Sequence, residues 1–234
     1  MTSKTTNGSL IALLLLPLAG CFSLSRDTPA LRQYVLGGSP VPVNADISTN
    51  PVGQTIGLRR LDLAPYLATP AIVVRRGPHQ IVISDYDRWV EDPTEGINRA
   101  VATYLAAAGS YRAVDVAPWT VQSRYDYLIQ LHISRFEGLA PEDSMATEGG
   151  VRVVASWEIL NQQNGIVHAR GTTDYQETGW RVGDYSALVV LLDRGLNDLA
   201  QDLAACLAML TTVSARLGDD VRPADASGAI KCGP

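Results

Sequence analysis

The feature that most restricts how this chain folds is a pair of strictly alternating apolar runs followed by a short turn. In Tyr125–Phe136 the apolar positions are Tyr125, Tyr127, Ile129, Leu131 and Ile133, and in Val151–Leu160 they are Val151, Val153, Ala155, Trp157 and Ile159. A side-chain period of two puts each set on one face of a strand. Asn161-Gln162-Gln163-Asn164-Gly165 then reads as a hairpin turn, because Asn-Gly accommodates positive φ. Ile166–Gln176 returns as a third strand, and its more polar side chains place it nearer an edge or a wetter face. Gly138–Gly149, with Pro141, Glu142, Asp143 and Glu148, reads as the polar loop between the first two strands. The three runs predict an antiparallel meander with one apolar face to cover.

Two amphipathic helices are available to cover it. Asp92 is an N-cap, Pro93 takes the first helical position and Glu95 completes a capping-box pattern. Ile97, Val101, Tyr104, Leu105 and Ala108 follow on one stripe, and Gly109 is placed to end the helix in the left-handed conformation. The second helix is predicted over about Asp184 to Leu210, with Leu188, Leu191, Leu192, Leu199, Leu203, Leu207 and Leu210 on one side. Asp193, Arg194, Asn197, Asp198, Gln201 and Asp202 occupy the other side. Shorter β-type runs stand at Gln33–Gly37, Thr55–Asp62, Ala71–Arg75, Gln80–Ser84 and Ser110–Val116. The pattern predicts a single α/β domain over about 33–212, with a mixed β-sheet, an antiparallel meander and two main helices packed on it. Residues 213–234, with Asp219, Asp220, Pro223 and several Gly and Ala, read as a mostly disordered tail apart from any tie at Cys232.

The N-terminus belongs to a different regime. Lys4 precedes an apolar run from Leu10 to Leu18, which closes on Leu18-Ala19-Gly20-Cys21. A charged start, an apolar middle and small residues at the cut are the layout of a secretory signal peptide over 1–20. The run is too short for a membrane-spanning helix, which takes about 20 apolar residues. Small residues directly before a cysteine resemble a bacterial lipobox, in which the thiol is acylated and the mature chain starts at the cysteine. Phe22 rather than Asp follows Cys21, and this points to the outer membrane under the sorting rule of enteric bacteria. Residues 21–50, rich in Ser, Pro, Asn, Gly and Thr, read as a lipidated N-terminus and flexible tether.

Export also bears on the other cysteines. With Cys21 acylated, Cys206 and Cys232 remain, and an oxidising compartment allows them to pair. The alternative is two free thiols, one buried and one in the tail.

Composition and motifs exclude several chemistries. The net charge of −5 gives no basic footprint for nucleic acid. There is no Gly-x-Ser-x-Gly elbow and no Gly-rich phosphate loop, so neither a hydrolase nucleophile nor nucleotide binding is supported. His79, His132 and His168 lie far apart and no Cys/His spacing suits a metal, so no metal or cofactor is expected. Glu142 and Asp143 read as solvated loop acids. The segment Arg75–Glu91 is more suggestive, since Tyr86, Arg88 and Trp89 are residue types favoured at protein interfaces. Trp89 also suits the alternative of packing on the helix start.

Taken together, the lipobox, Tyr34-Val-Leu-Gly, the run Ile56-Gly-Leu-Arg-Arg-Leu-Asp-Leu-Ala-Pro-Tyr-Leu, and Ile72-Val-Val-Arg followed by a hairpin and Tyr86-Asp-Arg-Trp-Val-Glu resemble the ABC-type transport auxiliary lipoproteins of the PqiC/YmbA type. The resemblance implies a periplasmic lipoprotein, not an enzyme, that works beside an MCE-domain protein and its membrane transporter components. It also implies that further copies of the chain can associate. A lipid-anchored scaffold of another envelope assembly, or a lipid-anchored secreted enzyme, stands as the alternative.

The lipobox reading makes a direct prediction. The native chain fractionates with membrane and carries acyl mass on Cys21, because two or more acyl chains give stable anchoring. Cys21→Ser is expected to yield an unprocessed or soluble precursor. Fractionation and intact mass decide it, and a processed, membrane-bound Ser variant would overturn it.

Overall fold

The computed structural model describes residues 29–38, 53–120, 122–143, 145–217 and 229–232. Leu18, Ala19, Gly20, Cys21 and most of the expected tether lie outside these residues. The elements in chain order are strands β1 (Arg32–Tyr34), β2 (Gln54–Leu58), β3 (Asp62–Leu63), β4 (Ala71–Arg76) and β5 (Gln80–Trp89), helix α1 (Pro93–Ala108), strands β6 (Tyr111–Val116), β7 (Tyr127–Ala140), β8 (Glu148–Leu160) and β9 (Val167–Arg181), helix α2 (Tyr185–Leu217) and strand β10 (Ile230–Cys232). A short 3-10 turn at Pro65–Leu67 stands between β3 and β4.

Strand β7 is the spine. One of its edges pairs antiparallel with β8, from Leu128↔Leu160 to Leu139↔Gly150. Its other edge is shared by three short parallel strands. Ile56–Leu58 of β2 lies against Tyr127–Ile129, β3 against His132–Ile133, and Val74–Arg76 of β4 against Gly138–Ala140. The sheet therefore divides on that side. β2 carries β6 in parallel, whereas β4 carries β5 antiparallel and β5 carries β1 in parallel. On the β8 side the sheet continues through antiparallel β9 to parallel β10. The result is the mixed sheet with its β7–β8–β9 meander.

The alternation in β7 reverses partway along. Ile133 pairs with Ala155 and Arg135 with Val154, so one extra residue is inserted there as a bulge. Ile129, Leu131 and Ile133 are buried before the bulge, and Phe136, Gly138 and Ala140 after it. The helices cover the apolar side. Leu188, Leu192, Leu196, Leu199, Leu203 and Leu207 of α2 are buried in the core, as are Ile97, Val101, Tyr104 and Leu105 of α1. Gly195 allows the close approach of α2 to the sheet, since a Cβ there would lie 2.6 Å from Val153 Cγ2 and 2.8 Å from the Tyr175 ring. The α1 start follows its sequence: the Asp92 carboxylate accepts from Thr94 N–H at 2.8 Å, with Pro93 in the first turn.

Several boundaries depart from the expectations above. The first strand is Arg32–Tyr34, and Leu36 beyond it is buried off the strand. The Thr55–Asp62 run is two strands, because β2 and β3 follow different stretches of β7. β5 does not stop at Ser84 but runs to Trp89. β7 and β8 extend towards each other, so the expected Gly138–Gly149 loop shrinks to residues 141–147. Gly109 is extended, with φ −142° and ψ 171°, rather than left-handed. Its lack of a side chain serves packing instead, since a Cβ would meet the Tyr111 ring at 2.5 Å. α2 runs seven residues past Leu210.

Part of the expected disordered tail is ordered: β10 pairs with β9 from Ile230↔Ala169 to Cys232↔Gly171. Cys206 of α2 and Cys232 of β10 are bonded, with S–S 2.04 Å and Cα–Cα 5.7 Å. Their sequence separation of 26 sets the expected contribution of the cross-link at about 3 kcal/mol. Cys232→Ala is expected to lower the melting temperature by several degrees and to speed amide exchange at 230–232. Two free thiols by intact mass in protein isolated from the periplasm would refute the bridge.

Candidate functional site

The first ordered strand is held to the domain by a buried acid. Asp87 of β5 is 2% exposed, and its carboxylate faces three donors. Arg32 approaches through Nε at 2.8 Å and Nη2 at 3.0 Å, Tyr34 donates its hydroxyl at 3.0 Å, and Ser84 Oγ donates at 3.0 Å. Ser84 Oγ in turn accepts the Asp87 N–H at 3.0 Å. The hydrogen bond to Asp87 raises the Arg32 pKa, while burial and then Asp87 raise that of Tyr34. Four residues of β5, Ser84 to Asp87, stand against one of β4, Ile72, between the pairs Val73↔Ile83 and Ala71↔Arg88. This wide irregularity turns Ser84 and Asp87 inward.

A second buried acid holds the same segment farther along. Asp193 of α2, 4% exposed, accepts Gly37 N–H at 2.8 Å and the Tyr104 hydroxyl of α1. Arg99 of α1 donates to Leu36 O at 3.2 Å and pairs with Glu91. Residues 32–37, which the sequence reading gave in part to the tether, are thus docked on β5, α1 and α2.

A third acid sits where the β4 arm joins β7. Glu137 is fully buried and takes Arg75 Nε at 2.6 Å, Arg75 Nη2 at 3.2 Å and the Tyr66 hydroxyl at 2.9 Å. The Arg75 guanidinium also lies 5.7 Å from the centre of the Tyr66 ring. The hydrogen bond to Glu137 raises the Arg75 pKa; burial, then the charge of Glu137, raise that of Tyr66. These groups are fully engaged with one another, which suits a clamp rather than proton transfer.

The residues chosen from sequence as partner contacts separate. Ala64–Pro70 and Arg75–Trp89 are brought together, since Trp89 N–H donates to Pro70 O at 2.7 Å and Ala71 pairs with Arg88. Tyr86 is 38% exposed and Arg88 is exposed. Trp89 is not an exposed anchor: it is buried and packs on Phe136, ring centres 6.0 Å apart. Alternation along β5 explains this, because Asp87 and Trp89 point inward and Tyr86, Arg88 and Val90 outward. Leu31 and Val35, neither of them among the contacts expected from sequence, flank β1 and join this outward surface.

The remaining candidates do not converge. His132 Nδ1 lies 2.8 Å from Asp62 Oδ2 on the surface. His168 stands edge-on to Tyr127, and burial lowers its pKa. Asp143 takes Met145 N–H in a turn. Among the described residues there is no group of three His, Cys, Asp or Glu suited to a metal ion, and no helix is long and apolar enough to cross a membrane. A groove of about 630 Å³ between α2 and the end of α1, bordered by Gln54, Tyr111, Gln201 and Ala204, has no charged side chain among its described lining residues.

What these features define is an α/β domain, one mixed sheet with two helices on it, whose buried carboxylates hold chain segments in place. The sequence model of the ABC-type transport auxiliary lipoprotein component matches residues 34–204, from the docked first strand into α2, and the chain belongs to that family. Among solved structures, a protein of Xanthomonas campestris is similar at a TM-score of 0.60 and 16% identity, over 80% of this chain and 97% of that one. A structure of an uncharacterized protein is similar at a TM-score of 0.54 and 14% identity, over 76% and 99%. Both likenesses are of fold. A comparison with curated proteins finds no match.

The Glu137 clamp yields a stability prediction. Arg75→Ala removes the nearer cation of a fully buried carboxylate, leaving only Arg135 at 3.7 Å, and loss of one partner of a buried pair costs about 3 kcal/mol or more. Arg88→Ala, on the exposed side of the neighbouring strand, is expected to stay within about 0.5 kcal/mol of native. Urea unfolding of the two variants makes the comparison. Equal, small effects would show that the clamp is not needed for stability.

Proposed function

We propose that this protein is an outer-membrane-anchored lipoprotein on the periplasmic face and a non-catalytic auxiliary component of an MCE/ABC-type lipid transport system. In this reading Cys21 carries the acyl chains, and an MCE-domain protein with its membrane transporter components is the partner. Further copies of the chain can join the same assembly. The observation that carries the reading is the family match over 34–204, on a chain whose Leu18-Ala19-Gly20-Cys21 resembles a lipobox. The engagement of Asp87, Glu137 and Asp193 in internal contacts supports a role in assembly over one in chemistry.

The test is capture of the tagged full chain from cross-linked envelope membranes. The MCE-domain protein and transporter components are expected to be recovered with it, and Cys21→Ser is expected to reduce that recovery several-fold. Recovery of a different envelope assembly, with no MCE-domain protein, would sink the proposal.

A further inference from the structure

The outward side of β1 and β5 carries an apolar surface that the internal contacts leave unused. The pairs Arg32↔Asp87 and Tyr34↔Trp89 put Arg32 and Tyr34 on the side of the sheet where Asp87 and Trp89 are buried, although the Arg32 side chain at the sheet edge stays exposed. Because side chains alternate along each strand, the residues between and beyond these pairs face outward. They are Leu31 and Tyr86, then Gln33 and Arg88, then Val35 and Val90. Leu31 is 54% exposed, Val35 51% and Val90 55%. Four large apolar side chains thus flank one polar row on an open sheet face. Contiguous exposed apolar surface of this kind marks a contact with protein or membrane.

Three observations favour a membrane. The first is chain length. Leu31 is ten residues from Cys21, and ten residues fully extended reach at most about 35 Å, so an acylated Cys21 keeps this face close to its bilayer. The second is fixity: Asp87 and Asp193 hold residues 32–37 onto the domain, so the face cannot swing away as part of the tether. The third is chemistry. The face is an open strand surface, while the cavities of about 630 and 500 Å³ are lined by other elements. Tyr86 and Arg88 have apolar bodies with polar ends, which suit a headgroup boundary. Apolar side chains rather than charge make up most of the face, so contact does not depend on anionic lipid.

We infer that this face, Leu31, Val35, Tyr86, Arg88 and Val90, rests on the bilayer that anchors Cys21, giving the domain one fixed orientation on the membrane. The inference relies on the acylation of Cys21 stated under Proposed function. It assigns to lipid a surface that the sequence alone offered to a protein partner.

The test uses the acylated full chain in two sets of vesicles, one of phosphatidylethanolamine with phosphatidylglycerol and one of phosphatidylcholine. With Cys21 acylated and Cys206 bonded to Cys232, an introduced cysteine takes a nitroxide alone. Tyr86→Cys and Val90→Cys report on the face, and Gln176→Cys, exposed on β9, is the control. The ratio of oxygen to nickel-chelate collision is expected to rise several-fold at 86 and 90 over 176, in both vesicle types. Adding Leu31→Asp and Val35→Asp is expected to abolish the rise while the protein stays vesicle-bound through its acyl chains. Labels at 86 and 90 as nickel-accessible as at 176 would overturn the inference and leave the anchoring intact. Shielding that appears only when an MCE-domain protein is added would give the face to protein instead. Absence of acyl mass on Cys21 would remove the anchoring reading and this inference with it.

Discussion

The architecture depends on how the second edge of β7 is satisfied. A buried strand cannot leave its N–H and C=O groups unpaired. β7 spans fourteen residues, and β8 pairs with one edge over most of that length. No single segment pairs with the other edge. Three pieces of two to three residues do so in turn, all parallel to β7. Each piece leaves the edge where the next takes over, so the sheet must divide. One arm holds β2 and β6, the other β4, β5 and β1. Glu137 lies in β7 beside the second arm, directly next to Gly138, which pairs with Val74. A carboxylate enclosed there requires a cation and a hydroxyl, and Arg75 of β4 and Tyr66 of the 3-10 turn provide them. The Pro65-Tyr66-Leu67 turn is therefore a consequence of the divided edge. It fills the gap between β3 and β4 and delivers the tyrosine to the acid.

What could be read from sequence was whatever had a local cause. Asp92-Pro93 started α1 because capping is decided within one turn, and Asn164-Gly165 made the hairpin because a two-strand turn needs positive φ. Val151 to Ile159 kept one period throughout and formed β8 on that face. Interruptions of period were harder. The bulge after Ile133 and the irregular stretch Ser84–Asp87 each change which positions face inward, so β5 looked finished at Ser84 although it continues to Trp89. The three-way sharing of the β7 edge left no local trace, because parallel neighbours are set by segments far apart in the chain.

The buried acids were illegible for the same reason. Asp87, Glu137 and Asp193 look like ordinary surface residues in one dimension, and Asp193 stood on the expected polar side of its helix. Their donors lie 55, 62 and 156 positions away, as Arg32, Arg75 and Gly37. Only the fold brings them together. The candidate surface was legible in part: Tyr86 and Arg88 stand out by residue type, and of the two roles open to Trp89 the packing one holds, on Phe136 rather than on the helix start, because the strand runs on and turns it inward. Leu31 stands alone before a polar pair, and the Tyr34-Val35-Leu36 island signals a strand but, being apolar at three consecutive positions, does not say which of them faces outward.

The first strand shows how these levels connect. β1 is only three residues long, and a strand so short has too few ladder hydrogen bonds to stay in place unaided. Asp87 compensates from within the sheet, gathering Arg32 and Tyr34 on a carboxylate whose other side-chain donor is the neutral hydroxyl of Ser84. Dependence is thus mutual: β1 needs Asp87 to stay docked, and Asp87 needs β1 to be buried at all. Asp193 repeats the arrangement with Gly37, from the helix layer instead of the sheet. The chain entering the domain is consequently docked on it, tied to both layers within six residues. Whatever the preceding segment is attached to, the geometry of the entry point is set by its contacts with the domain.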